Sequence, residues 1–410
     1  MDIFGIIIGI VMFLLIILIH EFGHFTVAKL CKMKVNEFSI GMGPAIFKKQ
    51  KGATLYSLRL LPIGGYVSLD EDVESDDPNS FRNKPVWMRI LVIAAGAFMN
   101  FVLGFIFCLF AVLSNDIVTT TTVAGFQEGS ISSNQLMKGD TIDSINGMKI
   151  FTTMDISFQL TNSDSREEGS GFYKYDFVVI RDGKAVELKD VRFASKAYAQ
   201  FLADYKELVG ERSGFAALPT EYFDITDNSY TSAFVALEET DGTFAAEFRK
   251  ITDKYKEGYE TEQNNLYLDF IVYGVKKDFV SVISATAKTF VSDARLIWIS
   301  LINLLTGTYG LNEMSGPVGV VQSVGTVAAF GLGSLLTLAA LIAINVGIVN
   351  LLPIPAMDGG RLVFLIIEAI RRKPIKAEHE GLVHFIGIVA LMLLMVIVTF
   401  NDIVRIFSGG

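Results

Sequence analysis

Residues 3–24 read IFGIIIGIVMFLLIILIHEFGH. The first 17, Ile3 to Ile19, carry no charge, and the next five place two histidines and a glutamate within one helical turn. Continued amphipathically to about Leu30, the run covers the roughly 20 residues that a helix needs to cross a hydrocarbon core of about 30 Å. It does not read as a secretory leader. Asp2 stands where a basic start is expected, and the run ends in His-Glu-Phe-Gly-His rather than at a small-residue cleavage site.

Three further runs have similar reach: Ile90 to Leu113, with Asn100 as its main polar interruption, Leu335 to Leu352, and Leu382 to Phe400. Four transmembrane helices are therefore expected. Leu296 to Leu305 is apolar too, but ten residues are too few to cross, which predicts an amphipathic surface or re-entrant helix. Composition agrees. Hydrophobic residues make up 51% of the 410 and charged residues 19%, against about 25% charged in a soluble domain, and mean hydropathy is +0.44. Disorder is excluded as the main character, and the lone cysteines Cys31 and Cys108 exclude a disulfide framework. A net charge of −9 argues against a nucleic-acid partner.

The connecting segments set an orientation. Residues 29–89 hold ten Lys and Arg against seven Asp and Glu, and residues 361–380 hold five against three, whereas residues 114–294 hold 18 against 29. Short basic segments stay on the cytoplasmic side, so both chain ends and the long acidic segment are expected outside. In that outer segment Lys138 to Gly147 reads as strand, turn and strand. Phe177 to Ile180 and Ala185 to Leu188 read as a hairpin turning at Asp182-Gly183. The stretch from Tyr198 to Asn265 reads as a packed insert with helices such as Ala245 to Tyr259. On the inner side, Phe38 to Ile40, Thr54 to Leu60 and Tyr66 to Leu69 read as strands of a hairpin region.

Only four histidines occur in the chain. His20 and His24, four apart, fall on one helix face, the spacing that lets two imidazoles reach one metal ion. Glu21 lies beside the ion, where it can take a proton from an activated water. The alternative, polar residues capping a span at the headgroups, leaves three costly ionisable groups at membrane depth unexplained. Catalytic zinc takes a third protein ligand. His20 lies about 25 Å down its helix at 1.5 Å per residue, and the third run also starts outside and descends to Asn350-Leu351-Leu352-Pro353-Ile354-Pro355-Ala356-Met357-Asp358-Gly359-Gly360. Pro353 and Pro355 must break that helix, which in a membrane is tolerated where the backbone is buried in protein or lines a wet cavity. Asp358 thus emerges at the depth of the histidines and is the candidate third ligand, its plainer alternative being a cap on the following helix.

These motifs, with Phe38 to Pro44, Pro62 to Val67, Gly96 to Phe101 and Ser315 to Gly319, resemble the site-2 protease family of intramembrane zinc metalloproteases, of the bacterial regulator-of-sigma-E-protease type. Three departures stand out. Met357 replaces the family's leucine before Asp-Gly, Ala97 replaces its proline after Gly96, and residues 139–147 give one PDZ-like motif where some members have two. The resemblance implies a polytopic α-helical membrane protein with four spans, a cytoplasmic-side membrane-associated β-hairpin region and an extracytoplasmic PDZ-like α+β domain. The expected boundaries are 1–30 for the first span, 31–88 for the hairpins, 89–114 for the second span, 115–197 for the PDZ-like domain and 198–278 for the insert. A surface helical segment follows at 279–332, then the third span with its Pro-broken end at 333–360, a loop at 361–381 and the fourth span at 382–403.

The implied activity is zinc-dependent peptide hydrolysis within or near the spans of single-span membrane proteins already cut on their outer side. His20, His24 and Asp358 would hold Zn²⁺ and Glu21 would be the catalytic base. Asn350, Asn100, Pro353, Pro355, Gly64, Gly65 and Tyr66 would meet substrate, the hairpins by pairing with an unwound strand. For the two asparagines, hydrogen bonding between helices is the equal alternative. Two other functions fit parts of the pattern. An inactive PDZ scaffold would not need Glu21 and Asp358, and a transporter should show paired repeats, which the two halves lack.

Overall fold

A computed structural model of the chain describes residues 3–69, 77–127, 130–162, 165, 172–209, 242–260, 265–308, 310, 316–373, 375 and 377–408. Ser315 and residues 210–241 of the expected insert lie outside the described residues. In chain order the elements are α1 (Ile3–Leu30), β1 (Val35–Lys51), β2 (Thr54–Leu69), α2 (Val86–Ser114), β3 (Ile117–Phe126), β4 (Thr141–Ile145), β5 (Met148–Lys149), α3 (Thr153–Asn162), β6 (Phe172–Arg181), β7 (Lys184–Ala194), α4 (Lys196–Val209) and α5 (Gly242–Glu260). They continue with β8 (Phe270–Lys276), α6 (Phe279–Leu305), α7 (Pro317–Ala328), α8 (Leu332–Leu351), α9 (Asp358–Arg371) and α10 (Ala377–Ser408). They form two compact units, residues 1–116 with 278–410, and residues 117–277.

In the first unit, α1, α2, α8 and α10 each contain a stretch long and apolar enough to cross a membrane. Their packing uses small residues, as expected where lipid offers no hydrophobic drive and close backbone approach supplies the attraction. A side chain at Gly23 of α1 would collide with the Ala95 carbonyl of α2, and one at Gly5 would meet Gly325 Cα of α7 at 2.5 Å. Met12, Ile16, Leu103, Val324, Ala339 and Ala343 fill the core where α1, α2, α7 and α8 meet. The apolar stretch Leu296 to Leu305 is not a short separate helix. It is the end of α6, whose preceding turns bury Thr286, Ser292 and Asp293, polar positions that hide the helix from a search for apolar runs. The last span, α10, exposes most of its apolar side chains, as a lipid-facing helix does. Its buried Asp402 accepts from the amides of Gly316 (3.1 Å) and Gly319 (2.8 Å) and so caps α7, which begins at Pro317.

The strands expected as separate short pieces are two long ones, β1 and β2. They pair antiparallel with repeated register shifts, and Ser39 faces both Ser57 and Tyr66 while Ile40 faces both Leu58 and Gly65. β1 therefore lies between two arms of β2.

The second unit is built on a sheet of order β7-β6-β4-β3-β8, with β5 paired to β4. Ile142, Ile145, Tyr175, Phe177, Val179, Val191 and Phe193 form its core. The expected Asp182-Gly183 hairpin joins β6 to β7, both residues having positive φ (51° and 74°), the geometry of a type I′ turn. Helices α4 and α5 add an aromatic cluster of Tyr198, Phe201, Phe248 and Tyr255. Asp140, buried at the head of β4, receives two bonds of 2.8 Å from Arg181. Burial pushes its carboxyl up, but Arg181 and the Met137 amide outweigh that and hold it below the usual carboxylate range.

Candidate metal centre

The helical spacing of His20 and His24 brings their imidazoles together on one face of α1, edge to face, ring centroids 4.8 Å apart. Both are buried. The third group arrives from the other end of the unit. After α8 stops at Leu351, Pro353 and Pro355 keep the chain out of a helix, Ala356 takes a left-handed φ of 78°, and α9 begins at Asp358. The Ala356 amide donates to Nδ1 of His384 on α10 (2.9 Å). A side chain at Gly359 would strike the Leu352 carbonyl, one at Gly360 the Ile354 carbonyl at 2.5 Å, and one at Gly387 of α10 Pro355 at 2.5 Å. The segment is thus clamped from both sides. Farther along α9, Glu368 binds Arg89 of α2 through two bonds (2.5 and 3.1 Å).

The result is a nearly equilateral triangle. His20 Nε2 and His24 Nε2 are 3.1 Å apart, and Asp358 Oδ2 is 3.1 Å from the first and 3.2 Å from the second. Ligands about 2.0 Å from a tetrahedral ion are separated by about 3.3 Å, so the three atoms fit zinc. Asp358 Oδ2 is buried and has no hydrogen-bond donor of its own in hand, as a metal ligand would be. Two nitrogen donors and one carboxylate oxygen are also the donor types that zinc takes at a site keeping a fourth position free. This is the one group among the described residues that gathers three ligand-bearing side chains.

Outside the triangle, His24 Nδ1 lies 2.8 Å from the Val92 carbonyl, a bond that fixes Nδ1 as the protonated nitrogen and leaves Nε2 for a metal. The amide of Asn100 sits 3.2 Å from His20 Nδ1. One turn earlier on α2, Gly96 faces both rings, and a side chain there would overlap His24 Nε2 and approach His20 Cε1 at 2.7 Å. Glu21 lies beside the triangle, close enough to interact electrostatically with His20, His24 and Asp358, with Gly65 of the second arm of β2 against its Cγ and the Val67 backbone within hydrogen-bonding reach.

Of the residues expected to meet substrate, Gly65 lies at Glu21 and Asn100 at His20. Gly64 (φ 79°) turns the chain into that arm. Tyr66 is tied to Arg59, which also holds Glu37. Asn350 is half-buried in the last turn of α8, and Pro353 is exposed and Pro355 half-buried in the broken segment. The sequence reading marked Gly96 only as part of a family motif, and it assigned no role to the contacts made by His384 or to the Arg89–Glu368 pair. Gly96 and Asn100, four apart on one face of α2, were the available signal.

The sequence model of peptidase family M50 matches residues 8–394. That match takes in the triangle, Glu21, Gly96, Asn100 and His384. The chain belongs to peptidase family M50. It is 32% identical over 406 residues to a candidate zinc metalloprotease of Fusobacterium nucleatum, covering 98% of this chain and 99% of that one. To the regulator of sigma-W protease RasP of Bacillus subtilis it is 29% identical, covering 97% and 98%. To the zinc metalloprotease RasP of Oceanobacillus iheyensis it is 30% identical, covering 97% and 98%. As an M50 peptidase the protein is an intramembrane zinc metalloprotease. Its His-Glu-Phe-Gly-His motif lies within a stretch of α1, Ile7–Leu30, long and apolar enough to span a bilayer.

Proposed function

We propose that this M50 peptidase hydrolyses peptide bonds within or beside the spans of single-span membrane proteins whose outer portion another protease has already removed. His20, His24 and Asp358 hold the zinc ion, and Glu21 is the catalytic base. The observation that carries the reading is the triangle of ligand atoms with Glu21 at its side, facing the Gly64–Tyr66 arm of β2. When bound, zinc supplies Lewis acidity and lowers the pKa of a water at the site to about 7. Glu21 takes a proton from the attacking water and returns it to the leaving amine nitrogen. A substrate helix hides its carbonyls in its own hydrogen bonds, so a cut requires an unwound stretch. The arm beside Glu21 offers backbone groups to such a stretch, and Asn350, Pro353 and Pro355, at the broken end of α8, would also meet it.

The basic segments 29–89 and 361–380 support a cytoplasmic position for the hairpins and for the metal-bearing ends of the first and third spans. Both chain ends then lie outside, with residues 115–197 as a PDZ-like domain and 198–278 as its insert, screening the outer stubs of substrates. This is the arrangement of a second cut in regulated intramembrane proteolysis. It is favoured over an inactive scaffold because Glu21 and the whole ligand set are retained together.

The test is Glu21→Gln in proteoliposomes carrying a single-span substrate with a shortened outer end. Cleavage should fall by more than about a thousandfold while bound zinc is unchanged. Full cleavage by that variant would overturn the reading.

A further inference from the structure

We propose that Asn100 is the positioning residue for His20: its side-chain carbonyl accepts the proton on His20 Nδ1 and so holds the imidazole with Nε2 free for the metal. The inference rests on the metal centre proposed above and concerns the role of a residue otherwise expected at the substrate.

The reasoning follows from the valence of a neutral imidazole, which has one N–H and one lone pair. His20 Nε2 is a corner of the ligand triangle, so when it ligates, Nδ1 must carry the proton and needs an acceptor. His24 meets the same requirement through the Val92 carbonyl at 2.8 Å. For His20 the neighbour of Nδ1 is the Asn100 amide at 3.2 Å, presented by its nitrogen, and an amide nitrogen only donates. Two donors would then face one another. The Asn100 carbonyl oxygen is buried and without a hydrogen-bond partner, and the residue itself is fully buried. A half-turn of the amide exchanges its two ends and turns the clash into a hydrogen bond. In this arrangement each histidine has its own acceptor on α2, Val92 and Asn100, two turns apart, with Gly96 between them leaving room for both rings. Partners of this kind set the tautomer and ring orientation of a ligating histidine, and their loss weakens metal binding by about 10–100-fold.

The experiment compares Asn100→Leu and Asn100→Asp with the parent in the full-length purified protein. Zinc affinity is measured by competition with a chromogenic chelator, and the visible spectrum is recorded after cobalt substitution. Leucine has similar volume but no acceptor, so zinc affinity should fall by about 10–100-fold and the cobalt spectrum should shift. Aspartate has the shape of asparagine and accepts from Nδ1 in any orientation, so it should retain parent affinity, which a residue needed for its amide nitrogen would not allow. Parent-like zinc binding by Asn100→Leu, with KM for a substrate raised instead, would overturn the proposal in favour of substrate contact. Equal weakening in both variants would overturn it in favour of a role for the amide nitrogen, which both substitutions remove. If the parent itself bound no zinc that His20→Ala abolishes, the proposed centre would have failed, a result separable from failure of the Asn100 assignment alone.

Discussion

Gly96 is where α2 passes the two histidines so closely that hydrogen is the only side chain that fits. Gly96→Ala should favour the helix by about 1 kcal/mol on propensity alone, yet it drives a methyl into both rings. The expected outcome is a well-folded protein whose zinc affinity is reduced at least about tenfold, read by chelator competition alongside circular dichroism. His384 presents the complementary case. It holds the amide of Ala356, a non-glycine residue at φ 78°, a conformation that costs an L-residue roughly 1–2 kcal/mol. His384→Leu should loosen the loop that delivers Asp358 and weaken zinc binding several-fold. Adding Ala356→Gly, which removes the strain, should recover part of the loss in the same titration.

Helix α9 carries Asp358 at its first position and Glu368 near its last turn, so the Arg89–Glu368 pair fixes the helix that presents the third ligand. Both side chains are largely buried, and removing one partner leaves the other uncompensated. Glu368→Gln should therefore cost about 2 kcal/mol or more in denaturant unfolding in micelles, and exchanging the two charges should restore part of it. At this scale it is also plain what the sequence could disclose. The histidines and Glu21 are four and one apart and need only a helix to assemble, and Pro353 and Pro355 announce a break whose depth follows from helix rise. Those parts were legible. Gly96, Asn100 as a neighbour of His20, and His384 owe their roles to helix crossings, which no local pattern encodes. The bent pairing of β1 with β2 brings Gly65 to Glu21 through register shifts that short apolar-polar alternation does not specify. Only the last ten residues of α6 stand out as an apolar run within the expected helical segment 279–332, because its other turns bury Thr286, Ser292 and Asp293, which look exposed to a hydropathy count.

The two units should respond differently to their surroundings. In residues 117–277, Asp140 is held below its ordinary pKa by Arg181, burial notwithstanding. Its contribution to stability is present above about pH 4, its unfolded range, and is lost as pH falls through the lower folded value. Limited proteolysis from pH 6 to pH 2 should show this unit opening at the acid end. Arg181→Gln should open at higher pH than the parent, and an unchanged acid profile would refute the assignment. Residues 1–116 with 278–410 should instead respond to metal. A strong chelator should abolish cleavage and zinc should restore it, with unfolding of this unit shifted downward by chelation according to the affinity lost.

The ligand triangle joins His20 and His24, near the start of the chain, to Asp358, near its end. A ribosome makes these in order. The first two spans and all of residues 117–277 are synthesised before the third ligand exists, and the acceptor Asp402 that caps α7 comes later still. A nascent chain halted anywhere before α9 would carry the His-Glu-Phe-Gly-His motif without a complete zinc site. On the proposed ligand assignment, the molecule therefore lacks its zinc site until Asp358 has been made. Its proteolytic life begins only once the chain beyond α8 supplies Asp358 at the head of α9.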